Sequence, residues 1–230
     1  MKIIVCGDVH GCWGFLNELI KKEDPNIILQ CGDFGYWPSF DMKMAVDNPA
    51  PYIRATYKFN GIENDKTKIY WCDGNHEEFS KLNVIKNNET HPNVFYMKRG
   101  ATLTLPDGRV VLFMGGAESI DKHYRIQGLD WFPEELITQK DVYNLPDIKV
   151  DIIISHTCPT EFNIYDGLML KCNDPSRKAL STLLEKYNPS LWYFAHWHIY
   201  AEGSYKDTKW FCLNMSGEDN WWKVLYDKNK

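Results

Sequence analysis

Residues 2–6 form a short β-branched run, and residues 13–23 then place Phe15, Leu16, Leu19 and Ile20 on one helical face. Residues 26–30 return to a strand pattern, so the chain is expected to open as β-α-β. Three later apolar runs, 68–72, 150–155 and 191–195, also read as strands. All five runs stop just before polar residues: Asp8, Asp33, Asn75, His156 and His196. Open α/β sheets collect ligands at the carboxyl ends of their strands, which makes this convergence the first functional signal in the chain.

The remaining pattern completes the expected fold. Residues 102–105 and 109–114 flank Pro106-Asp107-Gly108, whose turn chemistry predicts a hairpin. Residues 175–187 predict a helix with proline in its first turn. Residues 210–213 and 221–226 alternate like antiparallel strands and are expected in a second sheet. Residues 34–67 form an insert containing Pro38, Pro49 and Pro51, with a helix expected near 52–60. Its length suits a loop layer beside the site, so residues 1–230 are expected to form a single domain.

Composition narrows the function classes. The chain has 230 residues, of which 44% are hydrophobic, and no apolar run long enough to span a bilayer, so no membrane partner is expected. A net charge of −5 without a Lys/Arg run argues against an extended nucleic-acid surface but leaves room for a small phosphate-ester substrate, including a nucleotide. Seven cysteines, an odd number without a Cys-x-x-Cys pair, fit reduced thiols. Met1-Lys2 leads directly into Ile3-Ile4-Val5 with no secretory pattern, and the expected location is the cytoplasm. The pattern leaves the oligomeric state open.

The chemistry lies in Gly7-Asp8-Val9-His10-Gly11, Gly32-Asp33, Gly74-Asn75-His76-Glu77, Ser155-His156 and His196-Trp197-His198. A lone Gly-Asp or histidine is usually structural, but five of the seven histidines fall in this ordered set. Two neighbouring divalent cations repel, so they need a shared anion, and Asp33 on a strand end suits that role. Asp8 and His10 can hold one ion together if the backbone between them is extended. His196 and His198 have the same spacing and can serve one ion or, splayed by the loop, two. Asn75 offers a carbonyl oxygen and His156 an imidazole. A mixed oxygen and nitrogen set without thiolate favours Mn, Fe, Co, Ni or Zn over Ca, with Mn preferred as cofactor. Water on such an ion drops in pKa from 15.7 to about 7, which makes a bridging hydroxide available for in-line attack on phosphorus. His76, crowded by Asn75, is assigned general-acid duty. Glu77 either orients His76 or is an exposed glutamate in a first helical turn. Cys6, Cys31, Cys72 and Cys158, close to proposed ligands, are read as packing thiols.

The order Asp-x-His, Gly-Asp, Gly-Asn-His-Glu, His and His-x-His, from Gly7 to His198, resembles the calcineurin-like metallophosphoesterase superfamily. The resemblance implies an α/β fold built as a two-sheet α/β/β/α sandwich. It implies that Asp8, His10, Asp33 and His198 hold one metal, that Asp33, Asn75, His156 and His196 hold the other, and that His76 is catalytic. The chain departs from the pattern at Gly32-Asp33-Phe34-Gly35, which lacks the Asp-Arg-Gly continuation of serine/threonine protein phosphatases and weakens that assignment. Residues 115–121 look like a segment of small bacterial and phage members that approaches the site. Arg125 and His123, just beyond it, are the candidate substrate contacts. The expected activity is hydrolysis of phosphate mono- or diesters. The alternatives are a nuclease or cyclic-nucleotide phosphodiesterase, and a noncatalytic scaffold on the same fold.

Overall fold

The computed structural model describes residues 1–39, 61–164 and 174–228. The helix expected near 52–60 lies outside the described residues. Among the described residues, two six-stranded sheets stack face to face. The first contains β1 (Lys2–Cys6), β2 (Ile27–Gln30), β3 (Lys68–Trp71), β4 (Glu89–His91), β5 (Val94–Tyr96) and β12 (Trp222–Asp227). The second contains β6 (Thr102–Thr104), β7 (Val110–Met114), β8 (Ile152–Ser155), β9 (Leu191–Phe194), β10 (Ala201–Tyr205) and β11 (Thr208–Cys212). Strand orders are β12-β1-β2-β3-β5-β4 and β10-β11-β9-β8-β7-β6.

Alternate side chains of each central strand point to opposite faces, and both faces are apolar. Ile3 and Val5 therefore join Leu29, Phe113, Ile152, Ile154 and Phe211 between the sheets. Ile4, Ile28 and Trp71 face outward, where Leu16 and Leu19 of α1 (Trp13–Glu23) cover them. Leu112, Ile153, Trp192 and Phe194 pack under Leu180, Leu183 and Leu184 of α2 (Pro175–Tyr187). The result is the α/β/β/α sandwich that the resemblance implies. The start of α2 is fixed locally: Asp174 accepts the Ser176 N–H at 2.7 Å, and Pro175 occupies the first turn, where it loses no helical hydrogen bond. The described thiols are free, and burial raises the pKa of Cys6, Cys31, Cys72, Cys158 and Cys212, which are all buried.

One expectation is corrected. The two tail strands do not share the second sheet: β11 lies there beside β9, whereas β12 crosses to the first sheet and pairs antiparallel with β1. Alternation marks a half-buried strand but says nothing about which of two sheets receives it. The hairpin predicted around Pro106-Asp107-Gly108 forms as β6 and β7.

Candidate metal centre

The parallel strands β1, β2, β3, β8 and β9 all end on the same side, and the loops that follow carry the polar residues. Asp8, Asp33 and His156 are buried, and Asn75 is only 4% exposed. Asp33 is held from behind. Its Oδ1 accepts the backbone N–H groups of Asn75 and His76, both at 2.8 Å, which leaves Oδ2 facing the cluster. That Oδ2 lies 3.3 Å from His156 Nε2 and 3.7 Å from His10 Nε2, so one oxygen looks toward both halves of the site. A Cβ on Gly74 would collide with Asp33 Oδ1, and only glycine permits this approach.

On one side, His198 Nε2 sits 3.0 Å from Asp8 Oδ2 and 3.1 Å from His10 Nε2. On the other, His156 Nε2 sits 2.9 Å from Asn75 Oδ1. The His156 Nδ1 lies 2.9 Å from the Cys31 carbonyl, an acceptor without a proton, so Nδ1 carries a hydrogen and Nε2 is the nitrogen turned inward, toward Asn75 and Asp33. His196 packs edge-on against His156 with centroids 4.9 Å apart, while His198 packs against His10. The two histidines of His-x-His are thus splayed toward opposite halves. Asp8, His10 and His198 form one group of donors within 4.8 Å of one another, and Asp8, Asp33 and His156 form a second. Two carboxylates, an amide oxygen and four imidazoles without a thiolate suit a pair of borderline divalent cations.

The backbone at these donors is unusual. His10, Asp33, His196 and His198 have φ of 49°, 50°, 71° and 50°. Such left-handed positions cost on the order of 1 kcal/mol each in a non-glycine residue, and they concentrate where side chains must be aimed for function. Asp8 and His10 are therefore not brought together by extended chain, as their spacing suggests; the left-handed turn at His10 does it.

The electrostatics follow from the crowding. Burial pushes His156 down, but Asp33 and Asp8 outweigh it and the ring is pushed up to about 10. Burial opposes ionisation of Asp33, yet His156, His76 and His10 hold its carboxyl well below the usual range. Among the groups at hand, a protonated His156 is the positive charge that balances the carboxylates, and a cation entering the site must displace that proton. His196 is pushed down to about 3, by burial first and by His156 next, and stays a neutral donor.

His76 lies beside the cluster. Its Nε2 is 2.8 Å from Arg125 Nη2, and because a guanidinium only donates, that nitrogen accepts. Burial, reinforced by Arg125 and the neighbouring histidines, holds His76 well below its ordinary pKa even though Asp33 pulls the other way. Arg125 is aimed by Asp121, which takes Nε at 2.9 Å and Nη2 at 2.8 Å. His123 is exposed on the short turn Lys122–Tyr124 and is not gathered with the cluster.

Three supporting features escape sequence reasoning. Glu77 is fully buried and is neither an exposed helical residue nor hydrogen-bonded to the His76 ring among the contacts described. Its Oε1 accepts the N–H groups of Phe34 at 2.7 Å and Gly35 at 3.3 Å, and its Oε2 accepts that of Gly74 at 2.9 Å. The carboxylate therefore ties the loop after β2 to the loop after β3. Asp73 accepts Arg99 at 2.7 Å, and Arg99 also donates to the carbonyls of Glu134, Glu135 and Leu136. Ser119 and Glu135 stand behind Asn75. A run of Gly-Asn-His-Glu does not reveal where its glutamate points, and the other partners lie far apart in sequence.

A family model described as calcineurin-like phosphoesterase matches residues 1–200. The chain is 24% identical over 233 residues to a lariat debranching enzyme of Gallus gallus, covering 86% of this chain and 43% of that protein. It is 23% identical over 232 residues to a lariat debranching enzyme of Arabidopsis thaliana, covering 86% and 54%. The chain thus spans about half the length of these curated relatives. Among solved structures, TT1561 of Thermus thermophilus superposes with a TM-score of 0.54 at 14% identity, covering 97% of each chain. GAP50, the anchor in the inner membrane complex of Plasmodium, gives 0.51 at 10% identity, covering 98% of this chain and 77% of its own. These two likenesses concern the fold.

Proposed function

We propose, since this chain belongs to the calcineurin-like phosphoesterase family, that it hydrolyses phosphodiesters of small, nucleotide-like substrates at a two-metal centre. Phosphoester hydrolysis itself follows from the family and its lariat debranching relatives. The observation that carries the finer reading is the gathering of Asp8, His10, Asn75, His156, His196 and His198 around the inward Oδ2 of Asp33, with Arg125 and His76 at its edge. Asp8, His10, Asp33 and His198 would hold one ion, and Asp33, Asn75, His156 and His196 the other. When bound, the ions supply a solvent-derived nucleophile at neutral pH and neutralise phosphoryl oxygens. We take manganese as the ion, and the same mixed oxygen and imidazole set accommodates Fe, Co, Ni or Zn.

The chain's own residues do the rest. Arg125, held by Asp121, offers a guanidinium to the phosphoryl group, and a substrate oxygen there would draw Nη2 away from His76. His76 then faces an anion instead of a cation, its affinity for a proton rises, and it can pass one to the leaving alkoxide. A diester carries one negative charge, which matches a site where one guanidinium meets the catalytic imidazole, and the likeness to lariat debranching enzymes favours this reading.

The test is hydrolysis of bis-p-nitrophenyl phosphate and p-nitrophenyl phosphate with Mn, Co, Ni, Zn or Mg supplied in turn. The expected result is metal-dependent turnover with the higher kcat/KM on the diester. Inactivity toward both esters with every ion at saturation would overturn the reading.

A further inference from the structure

We infer that Ser119 and Glu135 are positioning residues that fix the direction of the Asn75 side-chain amide and so keep its oxygen turned toward the cation site. The inference rests on the two-metal reading above.

The oxygen and nitrogen ends of a carboxamide have nearly the same shape, so hydrogen-bond partners decide which end points where. Asn75 Nδ2 lies 3.0 Å from Ser119 Oγ. Ser119 Oγ in turn lies 2.7 Å from Glu135 Oε2, and Glu135 Oε1 accepts both the Ser119 backbone N–H at 2.7 Å and the Trp131 indole N–H at 3.0 Å. Ser119 is 1% exposed and Glu135 0%, so water does not compete for these groups. A hydroxyl has a single proton. The Glu135 carboxylate takes it, Ser119 Oγ is left presenting lone pairs, and lone pairs require a donor from Asn75. The NH₂ group must therefore face Ser119, and Oδ1 faces the inward-turned His156 Nε2, 2.9 Å away. A reversed amide would set oxygen against oxygen at Ser119 and waste the metal-facing position on a group that cannot ligate.

The pair sits on a separate loop that is tied to the floor of the site. The Gly116 N–H donates to the Asp73 carbonyl, and Ala117 N–H to that of Glu135. Arg99 joins Asp73 to the carbonyls of Glu134 and Glu135. The orientation of Asn75 is thus imposed by a segment that supplies none of the proposed ligands.

Calorimetric titration with Mn²⁺ at pH 8 tests the assignment in a double-mutant cycle. The wild type is expected to take two ions. Ser119→Ala is expected to weaken one of them roughly tenfold and spare the other, the size usual for loss of a partner behind a ligand. In an Asn75→Asp background the carboxylate presents equivalent oxygens, so adding Ser119→Ala should change that affinity less than twofold. Glu135→Gln can turn an NH₂ toward Ser119 Oγ, release the hydroxyl proton toward Asn75 and favour the reversed amide; it should give the same selective loss. It keeps the volume of the side chain, which leaves a folded variant if Ser119→Ala unfolds. Ser119→Thr, which retains the hydroxyl, should bind both ions as the wild type does. Unchanged affinities in both Ser119→Ala and Glu135→Gln, or an undiminished tenfold loss in the Asn75→Asp background, would overturn the inference. A wild type that binds no Mn²⁺ would overturn the two-metal reading itself, which separates the two failures.

Discussion

Replacing Glu77 by alanine should be among the most damaging single changes in the chain, although this residue contacts no substrate in the proposed reaction. Its carboxylate is the acceptor for three buried backbone N–H groups, at 2.7 Å (Phe34), 2.9 Å (Gly74) and 3.3 Å (Gly35). Each orphaned buried donor costs about 1–3 kcal/mol; with two short bonds and one long one, the loss is roughly 4–6 kcal/mol. An opposing term exists. Burial first, and the neighbouring Asp33 next, push the Glu77 pKa well above the usual carboxylate range, so removing this group also relieves an unfavourable buried charge. The expectation is therefore set at the lower bound of about 1 kcal/mol for each orphaned donor, roughly 3 kcal/mol in all, a large share of the 5–15 kcal/mol that holds a typical domain. Glu77→Gln keeps the shape and one oxygen but sets an NH₂ against the Gly74 N–H, so it should cost about 2 kcal/mol. Urea unfolding followed by tryptophan fluorescence at one pH checks the series. A loss under 1 kcal/mol for Glu77→Ala, or equal losses for the two variants, would refute the clamp.

Three further outcomes are expected. His76→Ala should lower kcat by about 10²–10⁴ while leaving Mn²⁺ stoichiometry, measured by elemental analysis, unchanged. Asp33→Asn should reduce the bound metal from two ions to at most one, because the remaining oxygen cannot serve both halves of the site as an anion. Burial raises Glu135 to about 7 from an ordinary 4.5, so the fold binds this proton more tightly than the unfolded chain does. Its stabilising contribution is complete below pH 4.5 and is lost as pH rises through 7; at 1.36 kcal/mol per unit the change is roughly 3 kcal/mol. Urea unfolding at pH 5 and pH 8 should therefore show a smaller pH difference in Glu135→Gln than in the wild type.

The backbone of the fold was legible because its central strands are long enough to show as apolar runs and each ends in a polar signal. The segments 27–30, 68–71, 152–155 and 191–194 form where the pattern places them. The short strands β4, at the sheet edge, and β5 beside it were not legible, since three residues carry no period. The candidate ligands were legible as a set because their order along the chain constrains them jointly. Their local geometry was not. The approach of His10 to Asp8 depends on a left-handed φ that no spacing rule predicts, and the hydrogen bonds of Glu77, Ser119 and Glu135 join residues that only tertiary structure makes neighbours.

The free thiols give the molecule an internal gauge. Cys6, Cys31 and Cys72 stand immediately before the segments that carry Asp8, Asp33 and Asn75, and all three are sealed in the sandwich with their thiolates suppressed. An alkylating reagent can reach them only when those strand ends part, so the rate of labelling reads the opening of the catalytic floor directly. Divalent ions that bridge the same strand ends should slow that rate in proportion to their occupancy, and a covalent tag would then report metal loading without any turnover of substrate.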